Sequence, residues 1–150
     1  MDEFRRRGFI PWSKINHFLL AFRSIWLSTT RPDGRPHAVP VWYIWDGRNL
    51  YFISDRRLQK SRNLAIQPWC VVHAGDGDDV IILEGPVEIV TDREELEKVD
   101  AAYRTKYVDP GSGAQATIFE PGADLYRVNV KRVMAWEYAT VANRTDWKFE

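Results

Sequence analysis

The chain has 150 residues, 45% hydrophobic and 28% charged, and its 21 basic residues balance 21 acidic ones to a formal net charge of +0. That length suits one ordinary domain over residues 1–150, able to bury about two-thirds of its unfolded-chain surface. The composition excludes disorder and collagen-like repeats, the single cysteine excludes a disulfide scaffold, and the balanced charge argues against a general polyanion binder. No apolar run approaches the roughly 20 residues of a membrane span; the densest is Val80-Ile81-Ile82-Leu83. Ser13, Lys14, Asn16 and His17 interrupt the stretch after the arginines at 5–7. No signal peptide is read there, and a cytoplasmic protein without a membrane partner is expected.

In chain order, Ser13 is the expected N-cap of a helix whose apolar face is Ile15, Phe18, Leu19 and Phe22. Strand formers over 25–30 lead into Arg31-Pro32-Asp33-Gly34, a tight reversal. A second strand over 36–45 puts His37, Val39, Val41, Tyr43 and Trp45 on one face and Ala38, Pro40, Trp42 and Ile44 on the other. Two apolar faces predict cover on both sides, and Pro40 predicts an edge-like or irregular point. Asp46-Gly47 signals a hairpin into a third strand, 49–54. A short helix is expected over 56–66, stopped by Gln67-Pro68. Next come a strand over 69–74, a turn over 75–79 and a long strand over 80–90. A break at Gly85-Pro86 in that strand suggests the bend that closing a barrel requires. Asp92 is expected to cap a helix from Arg93 to about Tyr107, with Glu95 completing a capping box. A loop over 109–113, a strand over 125–138 and a short aromatic tail at 145–149 complete the chain. Strands dominate and hairpins join most of them, which predicts a mainly β fold, an antiparallel barrel with peripheral helices.

The charge is not evenly spread. Residues 1–66 hold 12 basic and 5 acidic residues, a surplus of +7; the rest holds 9 basic and 16 acidic, a deficit of −7. The densest basic cluster is Arg56, Arg57, Lys60 and Arg62, at or just before the start of a predicted helix, with Ser54, Gln59 and Ser61 as neutral hydrogen-bonding groups. A helix N-terminus suits an anion, and Lys60 adds a point charge. The same run also reads as a solvated helix face.

Other constellations fall away. His17, His37 and His73 are widely spaced and no paired-cysteine spacing exists, so no zinc site is expected and the histidines read as hydrogen-bonded or surface groups. Asp76, Asp78 and Asp79 match a calcium loop only in charge, and a hairpin turn explains them better. Cys70 reads as a small buried strand residue. No G-x-S-x-G, P-loop or G-x-G-x-x-G motif occurs. Of the 7 Trp, 6 Tyr and 7 Phe some must be core, but Trp42, Trp45, Tyr51, Trp69 and Trp147 exceed what a small barrel needs inside. They would serve stacking on a planar ring or a subunit interface.

Three stretches carry a family resemblance. Thr30-Arg31-Pro32-Asp33-Gly34-Arg35-Pro36-His37-Ala38-Val39-Pro40-Val41-Trp42 resembles the first hairpin of the pyridoxamine 5′-phosphate oxidase-like split-barrel flavoproteins. Leu50-Tyr51-Phe52-Ile53-Ser54, followed by Gln59-Lys60-Ser61-Arg62-Asn63-Leu64 and Pro68, is similar to that family's third strand and phosphate-binding turn. Thr145-Asp146-Trp147-Lys148-Phe149 is similar to its T-R-W-x-F ending.

The resemblance implies a six-stranded antiparallel split β-barrel and a homodimer with cofactor sites at the interface. It implies FMN or coenzyme F420 as cofactor, a small organic substrate and hydride transfer. Lys60 would pair with the cofactor phosphate, helped by Gln59, Ser61 and Ile53-Ser54. Pro40, Val41 and Trp42 would meet the tricyclic ring, and Trp147 would reach the partner subunit's site. Where relatives carry a basic residue before the lysine, this chain has Gln59, with Arg56 and Arg57 nearby as substitutes. It has Asn143-Arg144-Thr145 in place of an R-x-H substrate motif and does not end in R-L-x-P, so vitamin B6 oxidation is not implied. No catalytic side chain is assigned. Two readings stand beside this one: a non-catalytic cofactor or haem carrier on the same barrel, and a barrel binding single-stranded nucleic acid, which the acidic second half opposes.

Overall fold

A strand needs its backbone groups paired and one face covered, and the repeated hairpins meet both needs with antiparallel neighbours. The computed structural model describes residues 4–7, 10–138 and 144–150, the first of these stretches as backbone. Its elements are β1 (Phe4–Arg7), α1 (Trp12–Ala21), β2 (Ser24–Thr30), β3 (Pro36–Trp42), β4 (Ile44–Trp45), β5 (Asn49–Asp55), α2 (Gln59–Ile66), β6 (Trp69–Gly75), β7 (Val80–Ile89), α3 (Arg93–Lys106), β8 (Ala123–Asn129), β9 (Arg132–Trp136) and β10 (Thr145–Phe149). The fold is mainly β, with a curled antiparallel sheet ordered β1-β10-β9-β7-β6-β2-β3 and a second group in which β5 pairs β4 and β8, and β8 pairs β7. The described residues form ten strand segments, against the six strands that the resemblance implied.

β7 is the hinge between the two groups. It is not broken at Gly85-Pro86, since its ladder with β6 runs from Val80 opposite Gly75 to Pro86 opposite Trp69. It changes its other neighbour there. Residues 80–84 pair with β9, and 87–89 pair with β8. A Cβ on Gly85 would lie 2.1 Å from the Asn129 carbonyl oxygen, so only glycine admits the chain crossing at this corner. At the same corner Lys131 N–H donates to Glu84 O (2.9 Å), and the expected single strand over 125–138 becomes β8 and β9.

Five other expectations change for local reasons. The strand over 36–45 stops at Tyr43, whose N–H donates to the Tyr107 hydroxyl at 2.7 Å; that hydroxyl lies 2.8 Å from Tyr43 O. Tyr107 thus takes the backbone groups that a neighbouring strand would have paired. Nor is this strand covered on both sides. β3 is the sheet edge, and its outer face of Pro36, Ala38, Pro40 and Trp42 is exposed, which is where a proline is tolerated. At the first helix the N-cap is Pro11 rather than Ser13, and no side chain caps it. The helix expected from residue 56 starts at Gln59. Asp92 does accept from Glu95 N–H (2.9 Å), but the Glu95 carboxylate bonds Arg127 and Tyr51, so only half of the capping box forms.

The main core lies inside the curled sheet, where Leu27, Leu50, Phe52, Val72, Leu83, Val128, Val133 and Trp147 are fully buried. Each of the aliphatic and Phe side chains there contributes about 1.5–3 kcal/mol by burial. Cys70 is buried in this core, as its strand position predicts. A smaller cluster packs Val99, Tyr103 and Tyr107 of the α3 region against Ile44, Tyr51 and Leu125. No helix among the described residues is long and apolar enough to cross a membrane.

Candidate cofactor-phosphate shelf

α2 follows β5 after a three-residue turn, and the side chains at that junction lock together. The Ser54 and Ser61 hydroxyls lie 2.7 Å apart, and Ser61 Oγ donates to Asp55 O at 2.7 Å. Both serines are buried. Asn63, fully buried one turn on, donates from Nδ2 to Thr29 Oγ1 (2.9 Å) and so ties α2 to β2. A buried amide with its partners made fixes geometry, because leaving it unpaired is costly.

Lys60 sits in this setting, half-buried. Burial pushes its ammonium below its ordinary range, and the charge of Asp55 opposes that shift. Among the described residues it makes no ion pair and no hydrogen bond. The neighbouring cations are engaged. Arg57 donates through Nε and Nη2 to Asp55 (3.1 and 2.8 Å), and its hydrogen bonds hold that carboxyl down at about 2. Arg56 makes a two-pronged contact with Asp124 at 2.8 and 2.7 Å. Gln59 donates to Asn63 Oδ1 (2.7 Å) and accepts from Arg62 (3.0 Å), so its amide serves its own helix.

His37 joins the shelf from β3, directly opposite Thr29 in register. Its Nδ1 is buried without a hydrogen-bond partner. Burial, and then the positive charges of Arg31 and Lys60, lower its pKa below the ordinary histidine value of 6.5. Sequence reasoning gave His37 an ordinary role and left out Asn63 and Thr29. The register of β3 on β2 was the missing signal, since it alone puts residue 37 beside residue 29.

The remaining predicted residues lie elsewhere. Ile53 precedes Ser54, but its side chain packs on the opposite side, against the smaller cluster. Val41 is buried in the main core, four residues along β3 from His37, or about 13 Å. Pro40 is exposed on the outer face. Trp42, also outward, stacks on Tyr107 with ring centroids 4.5 Å apart and planes 2° from parallel, and the Arg23 guanidinium lies 4.9 Å from its ring. The structure does not bring Trp147 to the shelf. It is fully buried against Trp12 (centroids 5.5 Å), with Nε1 lacking a hydrogen-bond partner. Asn143 lies outside the described residues. Among the described residues no three His, Cys, Asp or Glu side chains gather as a metal site.

The arrangement thus gathers one half-buried ammonium with no ion pair among the described residues, two buried and mutually bonded hydroxyls and one imidazole nitrogen without a partner. The model of the pyridoxamine 5′-phosphate oxidase family matches residues 12–137. A conserved hypothetical protein from Mycobacterium tuberculosis is 24% identical, with 90% of this chain and 89% of that one covered at a TM-score of 0.73. A pyridoxamine 5′-phosphate oxidase-related, FMN binding protein from Nostoc punctiforme is 19% identical, covering 95% and 96% at 0.61. A structure described as an F420 reductase is 26% identical, covering 78% of this chain and 94% of its own at 0.57. No curated protein matches the sequence. These likenesses identify the fold as the split barrel that the motifs imply.

Proposed function

Because the chain belongs to the pyridoxamine 5′-phosphate oxidase family, we propose that it is an oxidoreductase that binds FMN or coenzyme F420 and exchanges hydride with a small organic substrate. The observation that carries this reading is Lys60, a half-buried cation with no carboxylate partner among the described residues, set beside Ser54, Ser61 and His37. A phosphate would supply a counter-charge for Lys60 and an acceptor for a protonated His37 Nδ1, while the hydrogen bonds among Ser54, Ser61 and Asp55 O fix the turn that carries Lys60. The ring would then extend along β3 toward Pro40, Val41 and Trp42, with the Ile53-Ser54 backbone, Gln59 and Ser61 at the phosphate end. Arg57 is held by Asp55 and Trp147 by the core, so neither enters the proposed contacts. The bound ring supplies the hydride chemistry, while the chain binds it, orients it and keeps water off.

FMN and F420 share a phosphate and a tricyclic ring, and the basic surplus of the first half suits F420's acidic tail equally well. Titrating each cofactor separately into wild type and Lys60→Ala tests the assignment. We expect wild type to bind at least one of them, and the variant to bind it roughly 10- to 150-fold more weakly, the 1.5–3 kcal/mol of a charge-assisted hydrogen bond. Equal affinities would remove Lys60 from the site; binding of neither cofactor would remove the reading.

The same reading includes a homodimer, with the exposed outer face of β3 (Ala38, Pro40, Trp42) and the neighbouring Trp69, 44% exposed, as the apolar surface to be covered. Sedimentation at micromolar concentration should give twice the 17.5 kDa chain mass; a monomer there would contradict it.

A further inference from the structure

A cavity of about 410 Å³ opens at the other end of β2, between α1 and the ends of β6, β7 and β9. That volume falls within the roughly 300–1,000 Å³ of small-molecule pockets. Its walls are aromatic. The rings of Trp26 and His73 stack with centroids 6.5 Å apart and planes 10° from parallel, and Phe18, Phe22 and Trp136 complete the lining.

Its rim is acidic. The β6–β7 turn brings Asp76 and Asp79 to the mouth, beside Glu137, which is paired with Lys14. The turn is tight because of Gly75: it has φ +118°, and a Cβ there would lie 1.9 Å from Asp79 O. Asp76 Oδ1 accepts the N–H groups of Asp78 and Asp79 (both 3.0 Å), and Asp79 Oδ1 accepts from Tyr138 N–H (3.2 Å). Their second oxygens have no partner among the described residues. Two fixed carboxylates beside exposed ring faces favour a flat cation and disfavour an anion.

The cavity is separate from the phosphate shelf. Trp26 and Thr29 lie on opposite faces of β2, three residues or about 10 Å apart. The charge at this mouth has the opposite sign to that of Lys60.

We propose that this cavity binds a planar, positively charged aromatic molecule, with Trp26, His73 and Trp136 taking the ring and Asp76 and Asp79 taking the charge. The inference does not depend on the cofactor reading.

Calorimetric titration of the full chain in mildly alkaline buffer, with proflavine as the cation, acridine as the neutral ring and anthracene carboxylate as the anion, tests it. Proflavine should bind roughly five- to tenfold more tightly than acridine, and the anion most weakly. Trp26 is 48% exposed, so Trp26→Ala should keep the fold and weaken both proflavine and acridine. The double variant Asp76→Asn, Asp79→Asn keeps the turn's acceptors and should bring proflavine down to the affinity of acridine. Trp26 stands opposite Pro40 on the outer face, so the shelf is blocked with saturating inorganic phosphate rather than FMN, and phosphate should leave proflavine binding unchanged. Absence of proflavine binding, equal binding of all three probes, indifference to either variant, or displacement by phosphate would each overturn the proposal. Failure of FMN to bind would touch only the shelf.

Discussion

At its Thr29 end β2 meets a shelf of interlocked polar groups, and at its Ser24 end it borders a cavity walled by rings. The shelf draws its groups from residues 29–63, where the chain is basic; the acids of the cavity come from residues 76–137, where it is acidic. A net charge of +0 therefore conceals two local fields of opposite sign on one strand. They also differ in what holds them. The shelf depends on buried hydrogen bonds, each costly to break, whereas the cavity depends on ring surface and a glycine turn. Substitutions should therefore separate them, except where both hang on the same frame.

Gly85→Ala strikes that shared frame and should have the largest effect. The new methyl would meet the backbone of Asn129 at 2.1 Å, and backbone cannot step aside as a flexible side chain does. Overpacking commonly costs about 1–3 kcal/mol, and this contact should reach the top of that range or exceed it. Denaturant unfolding should show the loss, and both ligand sites should weaken together. A variant of wild-type stability would mean that β7 does not turn its corner as described.

Asn63→Ala should come next and should split the two regions. It removes the bond to Thr29 and strands the Gln59 amide, a loss of about 1–3 kcal/mol. Cofactor titration should weaken with it, because Lys60 and Ser61 ride on the same helix turn, while proflavine binding at the cavity should not change. Equal loss at both sites would show that the shelf has no geometry of its own.

The unequal legibility of the two regions has the same origin. Lys60, Ser54 and Ser61 were readable because they lie within eight residues of one another and carry a local charge signal. β2, β5, β6 and α3 were readable because periodicity and caps are local too. His37 was not, since its meaning comes from standing opposite Thr29, which depends on register. Trp147 was misplaced for a related reason: its motif says nothing of the Trp12 ring that buries it. Asp76 and Asp79 looked like a plain turn, and they form one. Only the packing of Trp26 and Trp136 beside them makes that turn the rim of a cavity.

His37 gives the smallest expected effect and the finest separation of the two regions. Its folded-state pKa lies below 6.5, so the unfolded chain takes up the imidazole proton first as pH falls. The contribution of a neutral His37 is thus fully present above about pH 6.5 and is lost as pH drops from there toward the lowered folded value. Thermal melts of wild type and His37→Gln across this window should show the wild type losing its margin on the acid side, since glutamine does not titrate. A phosphate on the shelf would set negative charge against Arg31 and Lys60, the two cations that hold the proton off. Adding FMN should therefore flatten the wild-type slope. Riboflavin, with the ring but no phosphate, and proflavine, directed to the other end of β2, should leave it unchanged. If all three flatten it alike, His37 senses the stability of the whole barrel. If only FMN does, the imidazole reports the anion beside it.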